Sequence, residues 1–207
     1  MNNTQRFDGK GELYAKARPK YAMALLDYMK NAMNITRNSV FADIGSGTGI
    51  FAEQLLEQGY GVFAVEPNAD MRRKAEEKLS AYGSFNSVDG TDSNTNLPDS
   101  SVDYITIAQA FHWFDVNAFK KECMRILKPG GKIIIVYNSR DTEAECTKAL
   151  AKLRRQYNPE FHGFSNGISD ELCRAFFDNK CDVFKCENNL YTIGKGISIA
   201  FYLRRIP

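Results

Sequence analysis

Apolar, β-rich runs alternate along this chain with segments whose apolar residues repeat at helical spacing. The runs are Val40–Ile44, Val62–Val65, Ser84–Val88, Val102–Ile107 and Lys132–Tyr137. The first three end at 44, 65 and 88, separations that fit a strand plus a crossover helix. Helical faces lie between them. Phe51, Ala52, Leu55 and Leu56 form one, closed by Gly59; Met71, Ala75, Leu79 and Tyr82 form the next. A third, Phe119, Cys123, Ile126 and Leu127, is stopped by Lys128-Pro129-Gly130-Gly131. Ahead of the first strand, Ala22, Leu26, Met29 and Met33 keep the spacing of an amphipathic helix. Such alternation predicts an α/β fold, a doubly wound, mostly parallel sheet with helices on both faces. Beyond Asp141 two more helical patterns follow (Cys146, Leu150, Leu153, Tyr157; then Leu172, Cys173, Phe176, Phe177), and then a strand over Val183–Tyr191. The stretch nearest to a linker is Gly90–Ser101, rich in Asp, Ser, Asn and Thr.

The chain has 207 residues, 43% of them hydrophobic, enough for one domain with a sizeable core. We divide it into an N-terminal cap segment (1–35), a ligand-binding core (36–140) and a region of helices and strand on the substrate side (141–207). Twenty-seven Lys and Arg oppose 25 Asp and Glu, a net charge of +2 that argues against a polybasic nucleic-acid or membrane-surface binder. No apolar run is long enough for a membrane span, and the first residues lack the apolar core of a signal peptide. Five cysteines without a CxxC pair predict free thiols in a reducing, cytoplasmic setting. With only His112 and His162 besides, no metal site is expected.

Candidate chemistry begins where the first strand ends, in Asp43-Ile44-Gly45-Ser46-Gly47-Thr48-Gly49. Glycines at alternate positions let the backbone turn tightly and approach a ligand with no Cβ in the way. The second strand ends in Glu66-Pro67-Asn68, with the acid 21 residues after Gly45. A carboxylate so placed can accept both hydrogen bonds of a ribose diol. Together these features indicate an adenosine-type cofactor. The dinucleotide fingerprint GxGxxG would need glycine at position 50, where this chain has Ile50, and no P-loop motif is present. An NAD(P)-dependent oxidoreductase is therefore a rival reading, as is a protein that binds the cofactor without turnover.

The glycine motif, Glu66 and the Lys128-Pro129-Gly130-Gly131 stretch resemble the class I S-adenosylmethionine-dependent methyltransferases. Tyr14-x-x-x-Arg18-Pro19-x-Tyr21 and Gln109-Ala110-Phe111-His112-Trp113-Phe114-Asp115 narrow the resemblance to the type 11 branch, which includes the trans-aconitate methyltransferase-like proteins. It covers about residues 7–140. The resemblance implies S-adenosyl-L-methionine as cofactor and S-adenosyl-L-homocysteine as product. Asp43, Gly45, Ser46, Gly47 and Gly49 would pass under the methionine part, and Glu66, followed by Pro67, would hold the ribose hydroxyls. Asn68 and Met71 would flank the adenine, and Thr91 and Asp92 would meet its edge. Gln109, Ala110 and Phe111 would line the wall between cofactor and substrate. Tyr14 and Arg18 would lie in an N-terminal segment folded over the cleft, where Arg18 could pair with a carboxylate of the cofactor or the substrate.

Methyl transfer from a sulfonium needs an acceptor held in line and water excluded. A neutral amine or hydroxyl acceptor also benefits from a base, whereas a carboxylate does not. His112 is the candidate catalytic residue, either as that base or as an orienting group. The expected acceptor is a small molecule, a carboxylate by preference, with no nucleic acid and no membrane as partner. Asp103 is expected to be structural. Ile197–Leu203 precedes an immediate end at Pro207. The expectation is therefore five parallel strands with an incomplete sixth and seventh. The outer side of the fifth would be poorly covered, inviting self-association as a homodimer through residues 183–203.

Overall fold

The computed structural model describes residues 18–162, 170–191 and 194–202; Tyr14 lies outside them. Helix α1 (Met23–Ala32) leads to β1 (Val40–Ile44), followed by α2 (Ile50–Glu57), β2 (Gly61–Val65), α3 (Ala69–Leu79) and β3 (Phe85–Val88). Then come β4 (Val102–Ala108), a 3₁₀ turn (Phe111–Trp113), α4 (Val116–Ile126) and β5 (Leu127–Arg140). Helices α5 (Glu145–Tyr157) and α6 (Asp170–Phe176) precede β6 (Asp182–Tyr191) and β7 (Gly194–Tyr202).

The strands form one sheet in the order β3-β2-β1-β4-β5-β7-β6. From β1 the chain winds outward through β2 to β3, then returns to place β4 on the other side of β1. That reversal opens a crevice beyond the carboxyl ends of β1 and β4. Alternation along each strand feeds two cores, one on each face. On β5, Ile134 and Val136 join Phe41, Phe51, Leu55 and Leu79, whereas Ile133, Ile135 and Tyr137 join Ile44, Phe111, Phe119 and Phe176.

The expectation about the chain's end is corrected here. The sixth and seventh strands form, and β7 pairs antiparallel with β5 from Ile134↔Tyr202 to Arg140↔Gly196. It also pairs with β6, so the outer side of β5 is covered and the premise for self-association through that edge is removed. The seven-residue overlap is supplied by Gly196–Tyr202 itself, an apolar run long enough to act as a strand without any further chain. The stretch 90–101 is equally far from a linker. Thr95 is fully buried and Leu97 nearly so, and the backbone N–H groups of Ser100 and Ser101 donate to the carbonyls of Arg125 and Ile126. At the opposite end of the sheet Asp103 accepts from the N–H of Val40 at 2.9 Å and from Lys128 Nζ at 3.0 Å, a structural pin between β1 and β5.

Candidate functional site

The loop after β1 is held against its neighbour before it turns. The N–H groups of Gly45 and Ser46 both donate to the carbonyl of Val65 at 2.8 and 3.1 Å. Gly45, Gly47 and Gly49 all have positive φ (69°, 57° and 77°), backbone that side chains with a Cβ adopt only with strain. Their surroundings differ. A Cβ on Gly45 would lie 2.7 Å from that of Ala110, and one on Gly49 would lie 2.6 Å from Leu79 Cδ1 and 3.2 Å from Ala75 Cβ. Among the described residues, a Cβ on Gly47 would meet nothing within 4 Å. The outer two glycines thus let the loop pack on β4 and α3, and the middle one borders open space.

Glu66 closes one side of that space. It is buried, and its two oxygens divide their work: Oε2 accepts from the N–H of Gly47 and Oε1 from that of Asn68, each at 2.9 Å. Each oxygen keeps a second lone pair, the capacity a ribose diol requires. Burial pushes the Glu66 carboxyl above its ordinary range, opposed by those two N–H groups and by nearby Arg72. Pro67 leads into Asn68, whose Oδ1 caps α3 by accepting from the N–H of Met71 at 3.0 Å. The Asn68 side chain is therefore committed to the helix, and Met71 is buried beside it.

Three polar atoms in the loop are buried and have no hydrogen-bond partner among the described residues: Asp43 Oδ2, Ser46 Oγ and Thr48 Oγ1. The other Asp43 oxygen accepts from Thr106 Oγ1 at 2.9 Å, a contact set by the parallel register that puts Asp43 beside Thr106. Desolvation pushes the Asp43 carboxyl up to about 7, with the Thr106 bond opposing and the charge of Glu66 adding. Buried polar atoms without partners are uncommon, and three around a glycine cradle fit a polar ligand that would complete them. A ribosyl amino-acid cofactor meets that description: a diol for Glu66 and a compact polar end for the loop.

On the far side, the loop after β3 carries Thr91 and Asp92. Thr91 makes a turn with Asn94, its N–H donating to the Asn94 carbonyl at 2.9 Å and its Oγ1 accepting from the Asn94 N–H at 3.1 Å. Asp92 Oδ2 accepts from the N–H of Asp115, the residue that caps α4. Partial burial raises the Asp92 carboxyl, opposed chiefly by that N–H. Glu122 on α4 then holds the rest of the loop. Its Oε1 accepts from the Thr95 N–H at 2.8 Å and hydroxyl at 2.6 Å, and Arg125 spans Glu122 and Asp99. Arg125 and Thr95 hold the Glu122 carboxyl down at about 2.

At the end of β4, Gln109 has a φ of 61°, unusual for a residue with a side chain. Its N–H donates to the Val136 carbonyl at 2.9 Å and its Nε2 to that of Asn138 at 2.7 Å, which fix the bend. Ala110 packs on Gly45. Phe111 corrects the expectation of a wall residue: it is fully buried, its ring centroid 5.0 Å from that of Phe176, and belongs to the core. His112 is half-buried, 4.7 Å from the Trp113 ring, with Nδ1 3.5 Å from the hydroxyl of Tyr137. Burial and the charge of Arg18 lower its pKa. Arg18 leads into a segment that is pinned to the body of the fold. Tyr21 exchanges two buried 2.8 Å bonds with Gln54, and the Lys20 carbonyl accepts from Asn188 Nδ2 at 3.0 Å, which in turn reaches Asn138.

Against this geometry, residues 42–135 match the model of a family described as a methyltransferase domain. An uncharacterized methyltransferase of a Geobacillus species is 31% identical over 178 residues, 84% of this chain and 76% of that protein. The chain belongs to the type 11 class I S-adenosylmethionine-dependent methyltransferases. An uncharacterized methyltransferase-like protein of Schizosaccharomyces pombe is 30% identical over 155 residues, 73% of this chain. The chain spans only 58% of that relative's length. Among solved structures, a phosphoethanolamine N-methyltransferase of Haemonchus contortus, in complex with phosphomonomethylethanolamine and S-adenosylhomocysteine, has a TM-score of 0.66 at 15% identity, a likeness of fold. It covers all of this chain and 59% of that one. As a type 11 methyltransferase, the chain departs from the dinucleotide fold in its sheet, where the reversed β7 stands between β5 and β6.

Thr48, Thr106, Glu122, Tyr137 and Asn138 are site or supporting residues absent from the sequence-based set. Thr106 had a signal, a threonine in an apolar strand, and Thr48 another, its place inside the glycine motif; the others become visible only through the fold. Among the described residues there is no His, Cys, Asp or Glu cluster fit to hold a metal ion, and no helix is long and apolar enough to cross a membrane.

Proposed function

We propose that this methyltransferase moves a methyl group from S-adenosylmethionine to a small carboxylate. The observation that carries the cofactor side is the open space at Gly47 beside the doubly bonded Glu66 carboxylate. When bound there, the cofactor supplies a methyl group already activated by its sulfonium. The chain's own work is positional. Glu66 would hold the ribose hydroxyls, and Asp43, Ser46 and Thr48 would offer their unpartnered atoms to the amino-acid end. Thr91 and Asp92 would face the adenine edge from a loop that Glu122 keeps in place.

The acceptor side is supported by His112, just beyond the end of β4, and by Arg18, whose charge lowers the pKa of that histidine. A permanent cation beside a neutral imidazole suits an anionic acceptor, and a carboxylate gives up no proton when it is methylated. The net charge of +2 gives no reason to expect a nucleic acid. The test is S-adenosylhomocysteine release with a panel of small carboxylates, amines and hydroxyl compounds. Turnover confined to carboxylates is expected; turnover only with amines would contradict the acceptor class.

A further inference from the structure

Tyr137 is a buried tyrosine whose hydroxyl lies beside the histidine of the site. It comes from β5, strand neighbour of β4, and its oxygen sits 3.5 Å from His112 Nδ1, at the long end of hydrogen-bonding range. Of the two partners the phenol is the stronger acid and an unprotonated ring nitrogen the stronger base, so the hydroxyl donates to Nδ1. Tyr137 holds its proton far above neutral pH, desolvation being the main cause and Cys173 adding to it. A ring nitrogen that accepts a hydrogen bond carries no proton itself, and a neutral imidazole must then carry it on the other nitrogen. The nearby charge of Arg18 disfavours a second proton on the ring.

We propose that Tyr137 fixes His112 in the tautomer protonated on Nε2, so that His112 meets the acceptor as an N–H donor and grips an anionic oxygen instead of removing a proton. Tyr137 is a positioning residue in this account; His112 touches the substrate. The inference rests on the proposed methyl transfer for its substrate, yet it concerns a property of the free protein. It separates two roles that sequence leaves open, because a general base at this position would need Nε2 unprotonated. No covalent step and no proton transfer is assigned to His112.

The experiment is long-range ¹H–¹⁵N correlation on the ¹⁵N-labelled full chain carrying His162→Gln, which leaves His112 as the one imidazole in the spectrum. The expected result is a neutral ring with the proton on Nε2 and Nδ1 resonating as an acceptor nitrogen at pH 7. In Tyr137→Phe, with an unchanged melting profile as the control for folding, the ring should become a mixture of tautomers. KM for a carboxylate acceptor should rise about tenfold with kcat changing less, while cofactor affinity stays as it was. A proton on Nδ1 in the unmodified site, or a spectrum that Tyr137→Phe leaves untouched, overturns the proposal. If the Nε2 tautomer is found but no carboxylate is methylated, the tautomer assignment stands and the proposed function fails instead.

Discussion

Glu66 Oε2 accepts the N–H of Gly47 at 2.9 Å, tying the acid at the end of β2 to the middle glycine of the β1 loop. Acid and cradle are therefore one assembly: the residue proposed to hold the ribose also sets the shape of the loop beneath it. Glu66→Ala loses both functions. A charge-assisted pair of bonds is worth about 1.5–3 kcal/mol, so titration calorimetry should show S-adenosylhomocysteine affinity falling by roughly tenfold to a hundredfold. Glu66→Gln should fare no better, because its NH₂ would face one of two N–H groups that also need an acceptor. Unchanged affinity in a folded Glu66→Ala protein would refute the ribose assignment.

The three glycines should separate into two classes. Gly45→Ala and Gly49→Ala bring a Cβ within 2.7 Å and 2.6 Å of packed side chains, so both should lower the melting temperature of the free protein. Gly47→Val meets no atom of the described residues at its Cβ and adds mainly backbone strain, about 1–2 kcal/mol for a left-handed residue. Its loss should appear in cofactor binding, which a branched side chain would block. Melting curves with and without S-adenosylhomocysteine distinguish the classes.

Asp43 predicts a pH signature. Its folded carboxyl is raised to about 7, well above the ordinary 3.8, so the folded state binds the proton more tightly than the unfolded chain. The stability linked to that proton is fully present below the ordinary value and is lost as pH rises through about 7. Asp43→Asn carries no such charge. Its advantage in denaturant melts of the free protein should grow between pH 4 and pH 7 and then level off, on the order of a few kcal/mol. A pH-independent difference would contradict the buried, half-satisfied carboxyl.

Glu122 predicts the opposite slope. Held down at about 2 from an ordinary 4.5, it stabilises the fold at neutral pH, a contribution lost as pH falls from the ordinary value through about 2. Glu122→Gln should cost about 1–3 kcal/mol at pH 7, since it removes one of the two carboxylates paired with Arg125 and weakens two bonds from Thr95. The difference from the unmodified protein should shrink as acid melts approach pH 2. Because Glu122 holds the loop that bears Asp92, KM for S-adenosylmethionine should rise as well.

Much of this architecture was legible in the order of residues because local rules and tertiary packing agree. Val40–Ile44 and Lys132–Tyr137 are too apolar to sit anywhere but in a buried sheet, and glycines at 45, 47 and 49 have few uses other than a tight strand-to-helix turn. Glu66 was found by its distance from that loop. The rest depended on relationships that spacing cannot carry. Thr106 matters because register sets it beside Asp43, 63 residues away. Tyr137 matters because β5 lies beside β4 and presents its hydroxyl to His112. The family resemblance of the Gln109–Asp115 stretch implied a wall residue at Phe111, yet the 3₁₀ turn rotates it into the core. The completeness of the final strand pair was missed for another reason: Gly196–Tyr202 is short and near the end of the sequence, and only its pairing with β5 shows that it completes a seventh strand.

The most direct test of the central claim is calorimetric titration of the purified chain with S-adenosylhomocysteine and, separately, with NAD. The account predicts saturable binding of S-adenosylhomocysteine at one site per chain, weakened by Glu66→Ala and abolished by Gly47→Val, and no heat from NAD. Binding of NAD without binding of S-adenosylhomocysteine, or S-adenosylhomocysteine binding indifferent to both substitutions, would contradict it.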